Sequence, residues 1–195
     1  MSRPGTYPKG VAKRAEILRV ALEVFAREGM AGSSLRTIAK ESGLSLTGLM
    51  HYFPSRDDLL TAVLRDVDDQ AEAAYAESGS AIDVGDYLAA VMDVNAAEPA
   101  RVKLYVALLV AAAEPGHPAA EYFGYRFARM REVIAAIVLE QRASTEGRGG
   151  LDPEFVATAI VAAADGIQNQ WLHDRSIDMA AHVRATWHLL TSANS

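Results

Sequence analysis

The chain has 195 residues, of which 50% are hydrophobic and 23% are charged, and its net charge is −6 at neutral pH. This balance is typical of a globular protein of one or two small domains and disfavours disorder. The absence of cysteine excludes disulfides, thiolate metal sites and a cysteine nucleophile. No apolar run approaches the roughly 20 residues of a membrane span, and the N-terminus lacks the apolar stretch of a secretory signal. We therefore expect a cytoplasmic protein without a membrane partner.

The charge is distributed unevenly along the chain. Residues 1–56 contain nine lysines and arginines against four acidic residues, a net charge of +5, and the remainder carries −11. A basic first quarter on an acidic body is typical of a small nucleic-acid-binding module joined to a larger non-binding domain. Chance clustering on a solvated helix explains the asymmetry equally well, so the motifs must decide between the two interpretations.

The N-terminal residues predict an amphipathic helix followed by a short one. Apolar residues recur at steps of three and four over residues 11–25, and Gly29 is placed to end that helix. Ser33 or Ser34 then caps a second helix, which Gly43 closes.

A third short helix and a long fourth helix follow. Ser45 can cap a helix over residues 46–53, and Pro54 prevents its continuation. The Ser-x-x-Asp pattern of residues 55–58 is a capping box that starts the fourth helix.

Five more helices are predicted beyond residue 80, and no segment alternates with a period of two as a strand does. We expect them to begin at Asp83, at Pro99, after Pro118, at Asp152-Pro153 and at Asp178. The predicted fold is all-α with about nine helices: a three-helix head over residues 1–56 and a helical bundle over residues 57–195.

The second and third helices, joined by a glycine-containing turn, have the layout of a helix-turn-helix. An ordinary helical hairpin within a bundle would show the same layout. However, the third helix is short and partly polar, which makes it a poor bundle element, so we expect it to act outside the core.

The residues around this turn carry a more specific signal. Residues 34–60, which read SLRTIAKESGLSLTGLMHYFPSRDDLL, resemble the DNA-binding signature of the TetR family of bacterial repressors. The family pattern combines a T-x-I-A second helix, a Gly-x-Ser turn, an aromatic pair that ends the recognition helix, and a basic residue at the start of helix four. The resemblance implies a DNA-binding head and a C-terminal domain that binds a ligand and dimerises.

The resemblance also implies roles for individual residues. Arg36 would contact a phosphate or a guanine edge, and Leu46, Thr47 and Met50 would face base edges. Phosphate contacts are implied for Thr37, His51, Tyr52 and Arg56. Many family members have a basic residue at position 46 and a tyrosine at position 50, so this recognition helix is poor in hydrogen-bonding groups. We therefore expect specificity to depend on Arg36, Thr47, backbone approach at Gly48, and DNA shape. Leu46 and Met50 could instead be core residues, and Tyr52 could simply pack at the edge of the first helix. Lys9, Lys13 and Arg14 could be a solvated face or make further phosphate contacts.

The helix that starts at Asp152 is apolar around most of its circumference and must be covered on more than one side. With the last helix it would form a two-fold, four-helix dimer interface, which the resemblance also implies. Burial of the helix within one monomer is the alternative. The predicted interface residues are Phe155, Ile160, Ala163, Ile167, Trp171, Val183, Trp187 and Leu190.

An aromatic-rich group with a few polar side chains suits a small-molecule pocket, although an ordinary core would look similar. Its members are Tyr105, Leu108, Tyr122, Phe123, Arg126, Phe127, Met130, Asp165 and Asn169.

The five histidines form no metal-binding pair, no glycine-rich phosphate loop follows a strand, and no nucleophile is suggested. We therefore expect no catalytic residues, no metal and no cofactor. The expected function is that of a ligand-responsive repressor that binds a palindromic double-stranded DNA operator as a homodimer. The alternative is a helical ligand-binding or interaction protein whose DNA-binding head is weakened or inactive.

Overall fold

The computed structural model describes residues 8–78, 83–144 and 150–192, and every helix and turn within these ranges belongs to an all-α architecture. Nine helices lie in the described ranges: α1 (Pro8–Gly32), α2 (Leu35–Glu41), α3 (Leu46–Met50), α4 (Arg56–Ser78), α5 (Val84–Ala97), α6 (Pro99–Ala111), α7 (Ala120–Ser144), α8 (Pro153–His173) and α9 (Met179–Ser192). The predicted fold class is confirmed.

Serine side chains cap the starts of α2, α3 and α4. Ser34, Ser45 and Ser55 each accept a hydrogen bond from the amide N–H three residues further on, at 3.1, 3.0 and 3.1 Å. Ser34 rather than Ser33 is therefore the cap of α2. The Ser55 hydroxyl also donates to the Asp58 carboxylate at 2.7 Å, so Ser55 and Asp58 pair at the start of α4 and the Ser55 cap is confirmed.

Aspartates cap three of the later helices. The carboxylates of Asp83, Asp152 and Asp178 accept hydrogen bonds from backbone N–H groups of the following turn at 2.7, 3.0 and 2.8 Å. An anionic acceptor at this position satisfies free N–H groups and complements the positive end of the helix dipole.

Two helix ends differ from the sequence prediction. Gly29 has φ +68° and ψ −172°, which breaks α1, but helical hydrogen bonding resumes and the element ends at Gly32. Helix α3 ends at Met50 instead of Phe53, because the Tyr52 amide bonds to the Leu49 carbonyl in a tighter turn before the proline.

The first of two compact units comprises residues up to 70 together with residues 103–120, and so includes most of α6. Within it α2 packs on both α1 and α3. The turn after α6 meets the start of α4, where His117 Nε2 lies 3.6 Å from a carboxylate oxygen of Asp57. This unit extends beyond the boundary expected after residue 56, and the functional division at that residue stays a prediction.

The second compact unit comprises residues 71–102 and the chain from residue 121 onwards. Within it α9 packs against both α5 and α8. Trp187 is 1% exposed, and a Cβ atom added at Gly85 would lie 2.5 Å from its Cδ1 atom, so α5 and α9 approach closely at a glycine. Asn95 donates a hydrogen bond to the Gln168 side chain at 2.8 Å and links α5 to α8.

Candidate DNA-binding interface

One side of α3 is fixed in the core of the first unit. Leu49 is fully buried, and Phe53, in the turn after the helix, is 3% exposed. Leu46 is half-buried at the start of the same side. Because these residues recur at steps of three and four, the opposite side of the helix is left free of the core.

The outer side of α3 presents three of the predicted DNA-binding residues together. Thr47, Met50 and His51 are exposed and stand three and four residues apart, which places them on one face. Met50 is 45% exposed, and Tyr52, in the following turn, is 37% exposed. Met50 is therefore a surface residue and not a core residue, and Tyr52 is partly exposed.

Gly48 is half-buried on α3. A Cβ atom there would lie 3.2 Å from the Ser45 hydroxyl oxygen, which accepts the hydrogen bond of the Gly48 amide at 3.0 Å. Glycine at this position therefore leaves the cap of α3 undisturbed, and its close approach to a DNA backbone stays a prediction.

Helix α2 contributes two exposed cations. Arg36 is in its first turn, as predicted, and Lys40, which the sequence analysis did not single out, is in its last turn. The nearby Thr37 hydroxyl lies 2.9 Å from the Ser34 hydroxyl and is half-buried. A basic residue at the end of the second helix was visible in the sequence, but its exposure was not.

Ion pairs neutralise the acidic residues of this region. The pairs are Lys13–Glu16 at 2.9 Å, Arg19–Glu23 at 2.6 Å, Arg27–Glu28 at 2.9 Å and Arg27–Glu41 at 2.6 Å. The hydrogen bonds that the Arg27 guanidinium donates to the carboxylates of Glu28 and Glu41 also raise the pKa of Arg27 above its ordinary value. Within the described ranges, the exposed cations Lys9, Arg14, Arg36 and Lys40 have no ion-pair partner. The head therefore retains a positive surface although the whole chain is acidic.

Arg56 makes hydrogen bonds within the head that the sequence analysis did not predict. Its Nε donates to the Ser33 carbonyl at 2.7 Å, and a terminal nitrogen donates to the Ser33 hydroxyl at 2.9 Å and to the Met30 carbonyl. Met30 is in the last turn of α1 and Ser33 is in the connection to α2, so the guanidinium joins the start of α4 to the end of α1. Arg56 thus links α4 to α1 within the head, and its expected phosphate contact stays a prediction.

Two cations of α1 also make contacts within the head. Lys13 Nζ donates to the Ser42 carbonyl at 2.6 Å and so ties α1 to the end of α2. The Arg14 guanidinium lies 5.2 Å from the centre of the Phe53 ring. Lys13 is largely occupied by this contact and its ion pair, whereas Arg14 stays exposed.

A shallow recess of about 270 Å³ lies beside Tyr52 in the first unit. Its lining residues are Gly10, Val11, Arg14, Ala15, Tyr52 and Asp66. None of the predicted ligand-binding residues belongs to it.

The predicted ligand-binding residues fall into both compact units. Tyr105 and Leu108 are buried in the first unit. The second unit contains buried Tyr122 and Phe123, half-buried Arg126, Phe127, Met130 and Asp165, and exposed Asn169. Four of these side chains make contacts with one another or with Met130 along α7. The centre of the Phe123 ring lies 4.9 Å from the centre of the Tyr122 ring and 6.1 Å from that of Phe127. The Arg126 guanidinium donates to the Met130 sulfur at 2.7 Å.

The predicted dimer-interface residues are of two kinds. Ile160, Trp171, Val183 and Trp187 are at most 6% exposed within a single chain, so they are core residues with almost no surface left for a partner. Phe155 is 55% exposed, and Ala163, Ile167 and Leu190 are half-buried. Leu189, which the sequence analysis missed, is 73% exposed. Periodicity places residues on a face but does not say whether that face meets its own chain or another one.

No helix of the described residues is long and apolar enough to cross a membrane. Within the same residues, no group of three or more histidine, aspartate or glutamate side chains could hold a metal ion.

The sequence and the fold were compared with known proteins. Residues 17–63 match the model of the bacterial regulatory proteins of the tetR family. The regulator RutR of Escherichia coli K12 is 45% identical over 56 residues, 29% of this chain and 26% of RutR. The regulator BetI of Stenotrophomonas maltophilia is 32% identical over 97 residues, 49% of this chain and 48% of BetI. The chain thus spans between a quarter and a half of the length of these curated relatives.

The likeness of fold extends over the whole chain. GusR of Salmonella enterica superposes with a TM-score of 0.75 at 22% identity over 97% of this chain and all of that one. FadR of Bacillus subtilis, solved in complex with stearoyl-CoA, gives a TM-score of 0.72 at 20% identity over 93% of this chain and 99% of that one. A helix-turn-helix head on an all-helical body defines the class of protein. Over residues 17–63 the chain is similar to the bacterial regulatory proteins of the tetR family, and its fold is similar to theirs.

Proposed function

We propose that the chain is a transcriptional repressor that binds a palindromic DNA operator as a homodimer and is released by a small-molecule effector. The observation that carries this proposal is the outer face of α3, where Thr47, Met50 and His51 are exposed on a helix whose other side is anchored in the core. A helix of this kind fits the major groove, which is about 12 Å wide. Arg36 and Lys40 on α2 supply positive charge beside it.

Exposed apolar surface on α8 and α9 supports dimerisation. On α8 the exposed Phe155, Thr158, Ala162 and Gly166 stand at steps of three and four and carry no charge, and on α9 Leu189 is 73% exposed. Small side chains permit close approach of a second helix, and large exposed apolar side chains favour its burial. A two-fold dimer would carry two recognition helices, which suits half-sites about 34–36 Å apart.

Sedimentation analysis tests the dimer. We expect the wild-type chain to sediment as a dimer and Phe155→Glu combined with Leu189→Glu to sediment as a folded monomer. Tyr125→Glu on α7 is the matched control, because Tyr125 is 68% exposed and lies outside both helices. A monomeric wild-type chain, or a dimer that survives the double substitution, would show that these helices are not the interface.

The aromatic group along α7 supports an effector site in the second unit. Tyr122, Phe123 and Phe127 give apolar contact surface, with the Arg126 side chain nearby, and such a mixture suits a mostly apolar ligand with few polar groups. FadR of Bacillus subtilis was solved with stearoyl-CoA, so acyl-CoA thioesters belong in a thermal-shift screen of this chain. A ligand that binds the folded state raises the midpoint of unfolding by mass action. It should also weaken DNA binding, roughly 5–150-fold for an ordinary coupling free energy.

Fluorescence anisotropy with the protein's own upstream DNA tests DNA binding. We expect nanomolar affinity that falls steeply with salt and that Arg36→Ala and Tyr52→Ala weaken. Absence of binding at low salt would instead support the alternative, a ligand-binding protein with an inactive head. The apolar character of the exposed face of α3 is the observation that favours this alternative. Turnover of any substrate would support an enzyme, whereas we propose a regulator without catalytic activity.

A further inference from the structure

The recognition helix presents an unusual set of side chains for reading DNA. Bidentate and hydrogen-bonding contacts to base edges are made chiefly by arginine, lysine, asparagine, glutamine, aspartate and glutamate. None of these residue types occurs in α3, whose sequence is Leu-Thr-Gly-Leu-Met. Of its five side chains, Leu49 is fully buried and Gly48 offers no side-chain atom beyond hydrogen. Thr47 and Met50 are the exposed ones.

The groove offers one feature that an apolar side chain reads. The C5-methyl group of thymine projects into the major groove and distinguishes thymine from cytosine by shape and hydrophobic contact. Met50, 45% exposed and on the same face as Thr47, ends in a flexible, polarizable thioether that adapts to an apolar partner. Leu46 is half-buried and has less free surface to offer.

We propose, building on the DNA-binding function above, that Met50 reads the C5-methyl group of a thymine in each operator half-site. The side chain then makes the base-specific contact by burial of apolar surface, not by hydrogen bonding. The exposed cations Arg36 and Lys40 beside it attract phosphates and set the register. The Thr47 hydroxyl is the side-chain hydrogen-bonding group within α3, and the imidazole of His51 follows directly after the helix on the same face, where a phosphate contact is expected.

The expected effect follows from the size of one methyl group. Removal of a buried methyl costs about fourfold in affinity per half-site, and about fifteenfold for a dimer on two half-sites. The salt dependence should not change, because no phosphate contact is lost.

The test uses the full chain and duplexes that it enriches from a random 30-base-pair pool. Each thymine of the enriched sequence is replaced in turn by deoxyuridine, which lacks only the C5-methyl group. Binding is measured for the wild-type chain, for Met50→Ala and for Thr47→Ser, a control that keeps the hydroxyl but loses its methyl. At the sensitive position, cytosine and 5-methylcytosine are also compared.

We expect one thymine per half-site at which deoxyuridine weakens wild-type binding about fourfold. Met50→Ala should bind the thymine duplex and the deoxyuridine duplex with equal affinity, whereas Thr47→Ser should still prefer the thymine duplex. The wild-type chain should bind the duplex with 5-methylcytosine at this position more tightly than the duplex with cytosine. If deoxyuridine weakens wild-type binding at none of the thymines, the proposal is overturned while DNA binding itself stands. The proposal is also overturned if Met50→Ala still prefers thymine over deoxyuridine, or if Thr47→Ser loses that preference. If no sequence is enriched and no duplex binds at low salt, the DNA-binding function itself fails, and this inference falls with it.

Discussion

Replacement of Arg56 by alanine should loosen the head without removing a DNA contact. The guanidinium makes hydrogen bonds to the Ser33 carbonyl at 2.7 Å, to the Ser33 hydroxyl at 2.9 Å and to the Met30 carbonyl. Ser33 is 1% exposed, so its carbonyl would lose a partner in a place that water reaches poorly. A hydrogen bond to a charged group contributes roughly 1.5–3 kcal/mol, and bonds that share one guanidinium are not additive. We therefore expect a loss of about 2–4 kcal/mol from the stability of the head.

Hydrogen exchange of the head, followed by mass spectrometry, measures this loss. Both tryptophans, Trp171 and Trp187, belong to the second unit, so intrinsic tryptophan fluorescence would report mainly on that unit. Amides of α1 and α2 that exchange through opening of the head should exchange about thirty- to a thousandfold faster in Arg56→Ala, because each 1.4 kcal/mol is a factor of ten. Amides of α8 should exchange as in the wild-type chain.

The salt dependence of DNA binding separates the two roles of Arg56. A phosphate contact contributes about 0.9 to the slope of log affinity against log salt, so loss of two contacts from a dimer would lower the slope by about 1.8. We expect Arg56→Ala to bind less tightly with an unchanged slope. Arg36→Ala is the matched control, because Arg36 is exposed and has no ion-pair partner among the described residues. This variant should lower the slope of log affinity against log salt while leaving the amide exchange of the head unchanged. A lower slope in Arg56→Ala with unchanged head exchange would refute the positioning role.

Two further predictions concern the second unit. Gly85→Ala should lower the free energy of unfolding of this unit by about 1–3 kcal/mol, because the added Cβ would lie 2.5 Å from Cδ1 of Trp187. Urea unfolding followed by tryptophan fluorescence measures this loss. A variant as stable as the wild type would mean that α5 and α9 separate at little cost. Ser176→Ala should raise the pKa of Asp174, measured by NMR titration, because hydrogen bonds from the Ser176 hydroxyl and amide hold it below its ordinary value. Because the pKa of Asp174 is lower in the folded state than in the unfolded state, its contribution to stability is present at neutral pH and is lost as the pH falls through the folded pKa. An unchanged pKa of Asp174 in the variant would exclude the Ser176 hydroxyl as the cause.

The sequence predicted the helices well because the signals that start them are local. A capping side chain and the amide that it binds are two or three residues apart, so Ser45, Asp83 and Asp152 could be recognised without knowledge of the fold. The exposed face of α3 was also predictable, because helical periodicity separates Leu49 from Thr47 and Met50.

Roles that depend on distant parts of the chain could not be predicted in this way. Arg56 bonds to carbonyls 23 and 26 residues away, and Lys13 to a carbonyl 29 residues away. The pattern around Trp187 shows only that its face is apolar, and the packing of α5 and α9 decides that this face is buried within one chain. Most of α6 shares a compact unit with α1, α2 and α3, and this grouping depends on the tertiary fold as well.

The central claim is that the outer face of α3 binds the major groove, and site-specific photocrosslinking tests it most directly. With p-benzoylphenylalanine at position 47, irradiation of the full chain on an enriched duplex should give a covalent protein–DNA adduct. The same amino acid in place of Tyr125, another exposed residue, which lies on α7, should give none. An adduct from position 125 but not from position 47, under conditions where both variants bind the duplex, would contradict the account.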